Sequence, residues 1–282
     1  MATVCIIGSG ELGGALAHAL ARGERVRRVR LVDAAGSVAA GKALDIQQSC
    51  AVEGFHTQLE GTTDATRAAG CAVCVIADRA GARSVEWQGD EGVEMLRQLA
   101  PYVGEAPIVF AGAAQADLMA RAVRECGLQP SRVMGSAPEA LAAAVRAIVA
   151  MEAGCSPGEV MLTVLGLPPS GVVVPWSDAS IGGAALERVL TPPQITRIDA
   201  RLAQLWPPGP FTLGLAAARV VDGLVHSSRR AFSVVTILAG EFGVRGRAGI
   251  LPVRLAPHGI AHTHVPSLNT RERVRIETAL AG

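Results

Sequence analysis

Residues 1–33 constrain the fold of this 282-residue chain more than any other stretch. The apolar run Val4-Cys5-Ile6-Ile7 passes directly into Gly8-Ser9-Gly10-Glu11-Leu12-Gly13, and a second apolar run, Val29-Arg30-Leu31-Val32, ends in Asp33. The spacing predicts a strand, a tight turn, a helix over about 11–21 and a second strand closed by an acid. In that geometry Gly8 permits the turn out of the strand, Gly10 leaves room for a close approach to the backbone, and Gly13 lets the helix lie close on the sheet.

A glycine turn that opens a helix offers free backbone N–H groups at the positive end of the helix dipole, which is a seat for a pyrophosphate. Asp33, twenty residues beyond Gly13, is placed to accept hydrogen bonds from ribose hydroxyls. Ala34, Ala35, Gly36 and Ser37 follow it, with no Arg or Lys to hold a 2′-phosphate, so NAD is expected rather than NADP. The glycine pattern alone is a weak signal; here strand, helix, second strand and acid stand in register around it. The expected cofactor-binding positions are Gly8, Gly10, Glu11, Leu12, Gly13 and Asp33, with Ala77 at the end of a later strand. The alternative is the same turn holding no nucleotide.

With 26 Lys and Arg against 25 Asp and Glu, the net charge of +1 gives no electrostatic footprint for nucleic acid or anionic lipid. Lys42 is the only lysine, which beside the abundant alanine reads as a codon-composition bias. No apolar stretch approaches a membrane span. The first strand begins at about Thr3, which leaves no room for a signal peptide, so a cytoplasmic protein is expected. The six cysteines lie in apolar or helical runs rather than in a loop framework. Cys71-Ala72-Val73-Cys74 falls in a run, 71–77, that reads as a buried strand, where residues three apart point to opposite faces; core packing is expected there. His262-Thr263-His264 has no second ligand cluster and reads as a surface strand, so no metal site is expected.

Along the chain, a helix over 41–50 and strands at 57–60, 71–77 and 107–111 alternate with helices at roughly 85–100 and 114–126, the grammar of a parallel sheet covered on both faces. From Pro138 the pattern changes. A helix over 139–153 stops at Gly154, a strand over 160–166 turns at 168–171 into 172–174, and helices at about 193–205 and 212–227 lead to strands near 231–239, 249–255 and 259–265. Residues 269–280 open like a helix. The expected architecture is α/β: a Rossmann doubly wound parallel sheet over 1–136, followed by an α+β domain over 137–282.

Over nearly its full length the chain resembles the malate/lactate dehydrogenases. The resemblance is carried by residues 4–14 with Leu31-Val32-Asp33, by Gly41-Lys42-Ala43-Leu44-Asp45, and by Arg132-Val133-Met134-Gly135. It continues through Ala150-Met151-Glu152, Val164-Leu165-Gly166, Ser180-Ile181-Gly182-Gly183 and Gly240-Glu241-Phe242-Gly243. It implies a two-lobed subunit, an NAD-binding lobe and a substrate lobe, assembled into dimers or tetramers. In the family the helix matching 41–50 packs on a neighbouring subunit; the row Ala39, Ala43, Ile46 and Cys50 suits such a contact or a core-facing stripe.

The chemistry of that family is what this sequence lacks. Reducing a 2-oxo acid needs a guanidinium to grip the carboxylate, an imidazole to protonate the carbonyl oxygen, and a carboxylate to hold the imidazole. The resemblance puts Pro168 at the histidine, Leu141 and Ala144 at the Asp and Arg, and Gly112 or Ala113 at an Asn near the nicotinamide. The family's lid is shortened, with Arg83 matching its first arginine and Gln88 its second. No catalytic residue is assigned. Glu139 reads as a first-turn carboxylate favoured by the helix dipole, and His226 as a favourable charge at a helix end beside Arg229 and Arg230. Asp78 stands where the family has a small residue near the pyrophosphate; either the loop swings it outward or cofactor affinity falls.

Three functions are compatible with these features: a non-catalytic NAD-binding relative with a regulatory or scaffolding role and a protein partner, an active oxidoreductase with a rebuilt pocket for a less polar alcohol, and a structural partner without nucleotide.

Overall fold

The computed structural model describes residues 2–81, 85–169 and 171–281; Arg83 and Ser170 lie outside the described residues. The first half contains β1 (Thr3–Ile7), α1 (Glu11–Gly23), β2 (Arg28–Val32), α2 (Gly36–Glu53), β3 (Gln58–Thr62), β4 (Val73–Ile76), the two-residue strands β5 (Asp78–Arg79) and β6 (Val85–Glu86), α3 (Gly89–Val103), β7 (Ile108–Phe110), α4 (Ala116–Cys126) and β8 (Val133–Gly135). The second half continues with α5 (Ala137–Ala153), β9 (Val160–Met161), β10 (Leu165–Leu167), β11 (Gly171–Val173), β12 (Ser180–Ile181), β13 (Ala184–Ala185), α6 (Leu186–Val189), α7 (Pro192–Asp199), α8 (Pro210–His226), β14 (Phe232–Ala239), β15 (Arg245–Ala256), β16 (Gly259–Thr263) and α9 (Thr270–Ala281).

Six parallel strands in the order β8-β7-β4-β1-β2-β3 form the doubly wound half of the main sheet. Beyond β8 the sheet continues antiparallel through β14, β15, β10 and β11, with Val235 of β14 paired to Gly135 of β8. The central parallel strands β1, β4 and β7 are apolar at successive positions because both faces are covered, whereas the edge strand β3 is not buried. Val4 and Ile6 join Leu16, Leu20 and Val220 on the α1 and α8 side, whereas Cys5 and Ile7 join Leu96, Leu118 and Leu141 on the α3, α4 and α5 side. α5 starts with Pro138 in its first turn and stops at Gly154, whose φ of 65° suits a left-handed cap.

Several local expectations need correction. The helix expected over 85–100 begins at Gly89, because Val85 and Glu86 pair with Arg79 and Asp78 in a short hairpin. The run 160–166 divides into two strands: Val164 turns its N–H to Ser233 Oγ, 3.2 Å away, instead of to a ladder partner. Cys71 and Cys74 do not face opposite sides. β4 starts only at Val73, so strand alternation does not reach Cys71, and both pack with Cys5 in one core. Hydrogen bonding from Cys74 lowers the pKa of the Cys71 thiol, and that of Cys74 is raised by its bonds to Cys5 and Cys71. On α2, Ala39, Ala43 and Ile46 face the chain's own core, which leaves Val38, Leu44 and Val52 exposed. Among the described residues no helix is long and apolar enough to cross a membrane, and no group of three or more His, Cys, Asp or Glu is placed to hold a metal ion.

Candidate functional site

The strand order reverses between β1 and β4: β2 and β3 lie to one side of β1, and β4, β7 and β8 to the other. In open α/β sheets the crevice at the carboxyl ends of the strands beside such a switch point receives ligands. The glycine turn leaves β1 here, and Ala77 and Asp78 leave β4. Ala77 N–H donates to the Ile7 carbonyl at 2.9 Å and Gly10 N–H to the Asp78 carbonyl at 2.9 Å, so the two strand ends are bonded together.

Gly8 has a φ of +110°, a conformation that L side chains rarely adopt, and a Cβ there would lie 2.3 Å from the Asp78 carbonyl oxygen. A Cβ at Gly13 would meet the Gly8 carbonyl oxygen at 2.3 Å, so this glycine lets α1 lie against the turn itself. Lys42, read from composition as incidental, reaches in from α2 and donates to the Gly10 carbonyl at 2.5 Å. Only a three-dimensional contact 32 residues away in sequence exposes that role.

Asp33 follows β2 directly and is buried. Its Oδ2 accepts from Ser9 N–H at 2.7 Å and Ala80 N–H at 2.9 Å, and its Oδ1 from Ala35 N–H at 2.9 Å. A carboxylate has about four acceptor sites, so little capacity remains for a ribose. Burial pushes its pKa up, but the N–H donors of Ala80, Ala35 and Ser9 together outweigh burial and hold it below the usual carboxylate value. A group with a depressed folded pKa stabilises the fold above its unfolded pKa, near 3.9, and that stability is lost as pH falls through the folded value. Between pH 5 and pH 2 the unaltered chain is therefore expected to lose more thermal stability than Asp33→Asn, whose amide does not titrate. Parallel melting curves for the two over that range would contradict this.

Asp78 does not swing outward. Its carboxylate turns onto the first turn of α1, where Oδ1 accepts from Gly13 N–H at 2.8 Å and Oδ2 from Leu12 N–H at 3.1 Å. These are donors a helix start leaves without partners, and Gly10, which precedes the helix, has no side chain to cap them. A Cβ at Gly10 would lie 2.3 Å from Asp78 Oδ2, so the space expected for a pyrophosphate holds the Asp78 carboxylate.

Across the hairpin from Asp78 stands Glu86. Its two oxygens accept from Ala113 N–H at 2.9 Å and Ala114 N–H at 2.8 Å, just past β7, where the resemblance had placed an Asn. Gly112 N–H donates instead to Gln115 Oε1 at 2.9 Å. Arg79 fixes the hairpin by stacking its guanidinium 4.6 Å above the Trp87 ring and pairing with Glu91.

The other positions singled out lie elsewhere. Leu141 is fully buried in the α5 core. Pro168 lines a cavity of about 530 Å³ with Arg275 and Thr278 of α9. Glu139 is buried and bonded to Ser233 N–H at 2.8 Å and to Arg230, which corrects its reading as a first-turn charge alone. His226 lies in the last turn of α8, the helix end expected, and pairs there with Asp222, one turn back, at 2.8 Å. His262 is exposed on β16, the surface strand expected.

The chain is 29% identical over 298 residues to the malate dehydrogenase of Thioalkalivibrio sulfidiphilus, covering 100% of this chain and 97% of that one. To the L-lactate dehydrogenase of Thermus aquaticus it is 29% identical, covering 96% and 93%. Over its whole length the chain is thus similar to malate and lactate dehydrogenases. No protein-family model matches it. Among solved structures it is similar to the malate dehydrogenase of Salinibacter ruber, with a TM-score of 0.88 at 23% identity over 99% of this chain and 94% of that one. It is equally similar in fold, TM-score 0.88 at 20% identity, to the lactate dehydrogenase of Cryptosporidium parvum complexed with lactic acid and nicotinamide adenine dinucleotide, over 99% and 95% of the two chains. Each of these family members therefore matches this chain almost end to end, across both halves of the fold.

Proposed function

We propose that this chain is a family member that keeps the dinucleotide lobe, residues 1–136, and has lost the reaction of the substrate lobe, residues 137–282, acting as an NAD-binding regulatory or scaffolding subunit of a dimer or tetramer. The observation that carries this reading is Leu141. At the place where the resemblance puts the histidine-orienting carboxylate, this side chain is 0% exposed and packs with the α5 core. Ala144 and Pro168 complete the loss, since neither side chain can grip a carboxylate or move a proton.

NAD supplies hydride transfer where it serves a dehydrogenase. Here Gly8, Gly10, Leu12 and Gly13 would hold its phosphates and Asp33 its adenosine ribose, once the Asp78 carboxylate has left the turn. In the conformation described Asp78 closes the phosphate seat and Asp33 already accepts from three N–H groups, so the residues fit the cofactor only after both are freed.

The test is turnover. A general acid alone is worth roughly 10²–10⁴ in rate. The missing Arg and Asp add to that deficit, though not additively. With NADH and oxaloacetate or pyruvate, and with NAD and malate or lactate, rates are expected to stay at the background of the protein-free mixture. Turnover at about 1 s⁻¹ or faster, the ordinary enzymatic range, would end the reading.

A further inference from the structure

We propose that the hairpin of Asp78–Arg79 with Val85–Glu86 is an occupant of the dinucleotide crevice supplied by the chain itself, and that NAD(H) binds only by displacing it. The inference rests on the dinucleotide-binding reading above.

Three separate contacts converge on it. Asp78 satisfies Leu12 and Gly13 N–H at the start of α1, the donors a pyrophosphate would use. Ala80 N–H occupies Asp33 Oδ2, an acceptor the adenosine ribose would use. Glu86 bridges Ala113 and Ala114 N–H at the end of β7, on the far side of the switch point. The hairpin thus places a carboxylate on each flank of the crevice, one cross-strand neighbour from the other. A pyrophosphate cannot share the turn with Asp78: the carboxylate fills the volume next to Gly10, and two anions on one set of donors repel at short range.

If Asp78 were only a helix cap, its removal would weaken the fold and leave nucleotide affinity unimproved. An internal competitor behaves differently. When the binding-competent state is a minor fraction of the population, apparent affinity falls by that fraction, and a substitution that opens the site restores it. With the closed hairpin dominant, Asp78→Ala is expected to tighten NADH about 10- to 100-fold on this arithmetic. Asp78→Asn, which keeps shape and one acceptor but removes the charge, should give a smaller gain, and Glu86→Gln likewise.

The experiment is a calorimetric titration of NADH into the unaltered chain, Asp78→Ala, Asp78→Asn, Glu86→Gln and the Asp78→Asn/Glu86→Gln double variant, each checked for a cooperative melt. Amide exchange of the unaltered chain is followed with and without NADH. NADH should deprotect Ala113 and Ala114, released by Glu86, while Leu12 and Gly13 stay protected. Should Asp78→Ala fail to fold, Asp78→Asn and the double variant carry the comparison. Binding to the unaltered chain as tight as to the folded variants, or no change at Ala113 and Ala114 on binding, overturns the inference and leaves the dinucleotide reading standing. Absence of NADH binding in the folded double variant as well as the unaltered chain overturns both.

Discussion

Leu141→Asp is expected to cost at least about 4 kcal/mol of unfolding free energy, a sum of the 2–5 kcal/mol typical of removing a buried leucine and the penalty for an unpaired buried carboxylate. The resemblance puts an aspartate that holds an imidazole at this position, and Pro168 at the place of that imidazole. Leu141 is 0% exposed, and its core contains Phe110, Leu118, Met119 and Val145. An introduced carboxyl in this apolar cluster would have its pKa raised by burial. The sign follows: a raised folded pKa makes the variant weaker as pH rises, so its deficit against the unaltered chain should narrow from pH 7 to pH 5. Leu141→Asn, equally polar but without the titration, separates the two contributions because its deficit should not vary over that range. Urea unfolding at the two pH values measures both. A deficit near the 0.5 kcal/mol of an ordinary surface change would mean that a partner for the family carboxylate survives, and the loss of chemistry would have to be argued anew. The same packing speaks against a rebuilt alcohol pocket at this position, because the side chain fills the closed core.

The contrast between Leu141 and Asp78 shows what the chain states in its sequence and what it does not. Gly8, Gly10, Gly13 and Asp33 are legible because their job is local: one strand, one turn and one helix within 33 residues decide where they go. The expectation that Pro168 donates no proton is legible for the opposite reason, since proline has no titratable group wherever it stands. Asp78 is a carboxylate after a strand in either setting. Whether it repels phosphate from outside or replaces it from inside depends on the pairing of Asp78–Arg79 with Val85–Glu86, which hydrophobic periodicity does not encode. The misread start of α3 has the same source: Val85 continues an apolar pattern that suits a helix, and only its pairing with Arg79 makes it a strand. Cys71 went astray because alternation was extended two residues before the ladder begins. Lys42 and Glu86 were missed because their partners, Gly10 and Ala113, are 32 and 27 residues away.

Glu139→Ala is expected to cost about 2–4 kcal/mol, the range for leaving a buried donor and a charge without their partner. Glu139 is 3% exposed at the start of α5. One oxygen accepts from the buried Ser233 N–H at 2.8 Å and the other pairs with Arg230, whose guanidinium stacks 4.7 Å above the Phe232 ring. Ser233 in turn accepts from Val164 N–H, so one carboxylate ties α5, the start of β14 and the approach to β10. It also sits in a cavity of about 600 Å³ lined by Arg146, Arg219 and Arg230. Burial pulls the pKa of Arg146 below its usual range, and Glu139 is the charge that opposes that pull. Removing it leaves Asp178 as the remaining acid lining that cavity. Glu139→Gln keeps an acceptor for Ser233 and loses only the charge, so about 1 kcal/mol is expected, the net worth of a typical hydrogen bond or partly exposed pair. Urea midpoints with an unchanged denaturant slope measure both losses. In the cycle with Arg230→Ala, coupling should appear for Glu139→Ala, because the two side chains are in direct contact. Equal losses for the Ala and Gln variants would assign the whole effect to the ion pair and leave Ser233 without a role in joining the two halves of the sheet.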